Sequence, residues 1–138
     1  MISTRNIVRL SAIAVVAGGF VASTSLVAYA DEDVGKEVST AVAHAGLAVA
    51  AKDMPSVQMH LHHTINCLVG PKGEGFDSGV ANPCKEQGNG AIPDTKDAGK
   101  VATLRQGLAM VNKGLKETDM AAAQKDATEA QGMIKMGM

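Results

Sequence analysis

Apolar residues recur at intervals of three and four in four stretches of this chain, and that spacing commits it to helices. In DVGKEVSTAVAHAGLAVAAKD, residues Val34, Val38, Ala41, Ala45, Ala48 and Val49 share one helical side, which predicts a first helix over 33–52. In MPSVQMHLHHTINCLVG, Asp53 stands at a capping position and Pro55 lies in the first turn, where its missing N–H does no harm. Val57, Leu61, Ile65 and Leu68 then form the stripe of a second helix. Leu104, Leu108, Val111 and Leu115 mark a third, and Met120, Ala123, Ala127, Ala130 and Ile134 a fourth. The fold class expected is all-α.

The two halves also match each other. A shift of 66 lays Asp53 on Asp119, Met54 on Met120, and Ala45, Val57 and Leu61 on Val111, Ala123 and Ala127. This is a helix, a tight turn at an aspartate and a second helix, used twice. Neither such αα-hairpin buries its apolar face alone, so two should close into an antiparallel four-helix bundle. Residues 70–97, dense in Gly, Pro, Asn and Asp, read as one long loop between the second and third helices. Cys67 and Cys84 flank much of that loop, and a disulfide between them would tie it down.

The start of the chain indicates where such a bridge would form. Residues 1–30 have a basic beginning (Arg5, Arg9), an apolar run from about Leu10 to Ala22, and Ala-Tyr-Ala at 28–30. That is the layout of a signal peptide cleaved after Ala30, which would leave a single helical domain over 31–138 in the periplasm with no membrane attachment; the plainer alternative is a retained N-terminal anchor. Two cysteines in an exported chain favour a disulfide over a reduced metal pair. The signal takes two of the 13 basic residues and none of the 14 acidic ones, so 11 face 14 in the remainder. No basic face remains for a nucleic acid. Phe76 is the one aromatic after residue 30, so the core must be built from Ala, Val, Leu, Ile and Met. An Ala-rich bundle this small could pair as a homodimer.

All four histidines, His44, His60, His62 and His63, fall in the first hairpin; their places in the second half are Met110, Asp126, Thr128 and Glu129. A short turn makes the first two helices antiparallel, so residues whose numbers sum to about 107 share a height, and His44 lies level with His63. At about 100° per residue, His44 and His60 each sit to one side of their own stripe and flank the core. His60 and His63, three apart, share a side of their helix. If the two displacements face one groove, His44, His60 and His63 converge. His62 lies on the far flank, as an outlying or supporting ligand. Three imidazoles suit a divalent transition metal: copper, nickel or zinc. Met59 could add a thioether, and Met133, Met136 and Met138 form a methionine-bearing tail. The plainer alternative is solvated imidazoles beside a core.

AVAHAGLAVAAKD, followed by a second histidine-bearing helix, resembles the small metal-binding proteins of ammonia-oxidising bacteria, over about residues 38–64. Those are periplasmic helical-hairpin bundles whose histidines bind copper, nickel and related ions. The resemblance matches His44 to the histidine of their AV-x-HA helix and His60 and His63 to histidines of the next. That family spreads histidines over all its helices and has no disulfide loop, so one or two sites are what this chain would support.

Two other functions fit a small helical bundle. One is an electron carrier with b-type haem held by His with Met or a second His; without C-x-x-C-H, covalently attached haem has no anchor. The other is a protein-interaction module with Phe76 as a lone apolar anchor on the loop. An enzyme is the least supported reading: no nucleophile stands with a base, the cysteines lack C-x-x-C spacing, and Glu74 and Asp77 lie in the loop without a partner in the pattern.

Overall fold

The computed structural model describes residues 33–138, which hold five helices and no strand: α1 (Val34–Ala50), α2 (Met54–Val69), α3 (Ala91–Asp94), α4 (Ala98–Gly114) and α5 (Met120–Met136). The expected signal and its cleavage site lie outside the described residues. Among those described, no helix is long and apolar enough to cross a membrane.

Each long helix starts on an aspartate. The carboxylates of Asp33, Asp53, Asp97 and Asp119 accept the backbone N–H of Lys36, Ser56, Lys100 and Ala122 at 2.8–2.9 Å. Such a cap satisfies a donor that the first turn leaves unpaired and is worth about 1 kcal/mol.

The match between the two halves extends to burial. Val38, Ala41, Ala45 and Ala48 of α1 are buried, and the residues 66 positions later, Leu104, Gly107, Val111 and Gly114 of α4, are buried too. Val57, Leu61, Thr64 and Leu68 of α2 correspond likewise to Ala123, Ala127, Ala130 and Ile134 of α5. α1 packs against α2 and α5, and α4 against α5 and α2, a pattern compatible with a four-helix bundle. Small residues at half of these positions bring the backbones close, so the core needs no aromatic ring.

Composition predicts loop throughout residues 70–97, and that holds except at one place. Ala91–Asp94 form the single turn α3, in which Pro93 falls in the first turn, where its missing N–H is no loss. Nor does Phe76 stand out as an anchor: it is half-buried and packs against the core. The segment is held at many points. Cys67 and Cys84 are joined, with both residues buried. Asn66 donates its amide to the Asp77 carbonyl at 2.9 Å and accepts the Asp77 N–H at 2.8 Å. Glu37, fully buried in α1, accepts the Gly90 N–H at 2.8 Å. Gly70 and Gly90 let two stretches of backbone cross: both have positive φ (68° and 119°), and a Cβ on Gly70 would lie 1.5 Å from the Asn89 carbonyl oxygen.

Candidate metal centre

α1 carries His44 and α2 carries His60 and His63, and three residues, 51–53, link the two helices. A link that short forces the helices to pack side by side. One ring nitrogen from each of the three histidines lies within 4.8 Å of the others, the one such grouping of His, Cys, Asp or Glu among the described residues. The ring centroids of His44 and His63 are 4.9 Å apart, edge to face; those of His44 and His60 are 5.6 Å apart, and those of His60 and His63 5.8 Å. All three residues are partly exposed at the edge of the core.

The separations suit a small, imidazole-preferring ion. With metal–nitrogen bonds of about 2.0–2.1 Å, two ligands on one edge of a tetrahedron lie about 3.3–3.4 Å apart. His44 Nδ1 and His60 Nδ1 are 3.4 Å apart. The third histidine also offers a ring nitrogen within 4.8 Å of the other two. His63 Nδ1 is buried without a hydrogen-bond partner.

Burial and the neighbouring rings hold two of the three imidazoles neutral. Burial, then the neighbouring His63 and His60, pushes the His44 pKa down to about 4. Burial, then His60 and His62, lowers that of His63. At neutral pH these two imidazoles are uncharged and a proton does not compete for their lone pairs.

No protein-family model, curated protein or solved structure matches this chain. The chemistry of the site therefore stands on its own residues.

His62 is not in the group of three. Its Nδ1 lies 3.2 Å from Asp77 Oδ2, linking α2 to the disulfide-tied segment, and both side chains are about one-third exposed. Met59 is 42 % exposed, and Met136 and Met138 at the end of α5 are more so. Cys67 is committed to its bridge and offers no thiolate. The second hairpin has an ion pair where the first has imidazoles: Asp126, in the place of His60, is buried and accepts from Lys113 Nζ at 2.6 Å.

The polar residues that fix the surroundings escaped the pattern of the sequence. Glu37 alone left a trace, because it falls four before Ala41 on the margin of the buried stripe. Asn66 and Asp94 left none, since their partners lie in the loop and are mostly backbone groups.

Proposed function

We propose that the protein is a periplasmic metal-binding protein that holds one copper, nickel or zinc ion through His44, His60 and His63, on an antiparallel first hairpin. The observation that carries this is the meeting of three ring nitrogens within 4.8 Å, one pair already 3.4 Å apart. Antiparallel packing accounts for His44 facing both His60 and His63 across a three-residue turn. Gln124 reaching the Val49 and Ala51 carbonyls and Gln131 that of Val42 are in keeping with the same relation between α1 and α5, since the paired numbers keep a nearly constant sum.

Partial exposure leaves the ion a way in and out, which suits buffering or delivery better than a permanent structural role. Structural zinc sites are closed by four protein ligands, whereas three imidazoles leave a position for water or a ligand from an acceptor. The bridge between Cys67 and Cys84 is compatible with an oxidising compartment. In this reading the protein binds and releases metal and catalyses nothing.

Elemental analysis of protein isolated from its own host without an affinity tag tests the reading. One equivalent of copper, nickel or zinc per chain is expected, and a His44→Ala chain prepared in parallel should lack it. Equal, trace metal in both preparations refutes the assignment.

A further inference from the structure

A cleft of about 820 Å3 opens where the chain after α2 and the α3 turn meet α4, and none of the four histidines lines it. Its floor is apolar. Val69 and Ile92 are each 7 % exposed, and Leu108 packs partly buried against the core. Lys72, from the turn after α2, and Arg105, from α4, bring two cations to the lining. Neither pairs with a carboxylate among the described residues. Glu74 is the one acidic residue of the lining.

The walls are fixed before any ligand arrives. The Gly73 N–H donates to the Gly70 carbonyl at 3.0 Å and the Phe76 N–H to the Gly73 carbonyl at 3.2 Å, which shapes one side. The Asn89 N–H donates to Asp94 at 2.6 Å and the Gly90 N–H to buried Glu37, which shapes the other. The disulfide anchors the segment that joins them. A ligand entering such walls loses little affinity to ordering them. The volume lies within the range of about 300–1,000 Å3 usual for small-molecule sites, which combine an apolar lining with a few placed polar groups.

We propose that this cleft binds an organic carboxylate with an apolar body, the body against Val69, Ile92 and Leu108 and the carboxylate on Lys72 and Arg105. Two cations against one acid favour an anion over a cation. The apolar floor favours an organic anion over an inorganic one. The site is separate from the histidines and does not depend on what they bind.

Octanoate, 1-octanol and octylammonium, each titrated into the full chain by calorimetry with amide NMR shifts followed in parallel, read the two contributions apart. Octanoate should bind saturably at one site in the millimolar range or tighter, with shifts at residues 69–75, 89–93 and 105–112, at least about fivefold more tightly than octanol and with octylammonium weakest. Arg105→Gln and Lys72→Gln should each weaken octanoate by up to about fivefold and leave octanol unchanged. Leu108→Ala should weaken both, and His44→Ala neither. Octanol binding as tightly as octanoate, shifts centred elsewhere, or no saturable binding by about 10 mM would each overturn the proposal.

Discussion

The Nδ1 atoms of His44 and His60, sixteen residues apart on two different helices, face each other at 3.4 Å. Two protonated rings at that separation would repel, and two neutral rings can share one hydrogen bond or one metal ion. The fold thus places the His44 ring where taking up a proton is disfavoured.

Stability of the metal-free protein should therefore fall in mild acid. In the unfolded chain His44 takes up a proton near its ordinary 6.5, whereas in the folded protein it does so only near about 4. Between those values the unfolded state holds the extra proton, so this contribution is complete above about 6.5 and is lost as pH drops towards about 4. The lowered pKa of His63 acts in the same direction. Urea midpoints measured across that window should decline with pH, and His44→Ala should decline less steeply.

Removal of the bridge should cost stability without removing the site. Cys67 and Cys84 close a loop of about 18 residues, worth about 3 kcal/mol on a chain-entropy account. Cys67→Ala with Cys84→Ala should lower the unfolding free energy by about that amount in urea titration. Thiol assay of the unreduced, unfolded parent should find no free thiol.

The crossing of Gly70 and Gly90 gives the segment between the hairpins its shape. Gly70→Ala forces a side chain into a positive-φ position and onto the Asn89 carbonyl, and should destabilise by at least about 2 kcal/mol. Glu37→Ala leaves the buried Gly90 N–H without its acceptor and should cost about 1–3 kcal/mol. Both changes should raise hydrogen exchange at residues 85–95 more than in α5.

The long helices were readable because each carries its stripe of Ala, Val, Leu and Met at helical spacing, and Asp53 and Asp119 mark two of the turns. The meeting of His44, His60 and His63 was readable too, since a short turn fixes which heights coincide and residue spacing fixes which flank each ring occupies. The segment between the hairpins was readable only in part: its loop composition and its bridge were, its internal contacts were not. One helical turn at Ala91–Asp94 has no periodicity to announce it, and Gly and Pro spell loop wherever they cluster. The Glu37–Gly90 contact joins residues 53 apart through a backbone N–H, which no side-chain pattern encodes.

Binding of Cu2+, Ni2+ and Zn2+ at pH 7.5, followed by isothermal calorimetry on the parent and on His44→Ala, His60→Ala, His63→Ala and His62→Ala, tests the central claim most directly. The three histidines act as one unit, so each of the first three changes should weaken the one-to-one complex by at least about tenfold. His62→Ala, whose ring contacts Asp77 and lies outside the group, should change it by less than about threefold. Similar losses in all four variants, or no binding by the parent, would contradict a three-histidine metal site.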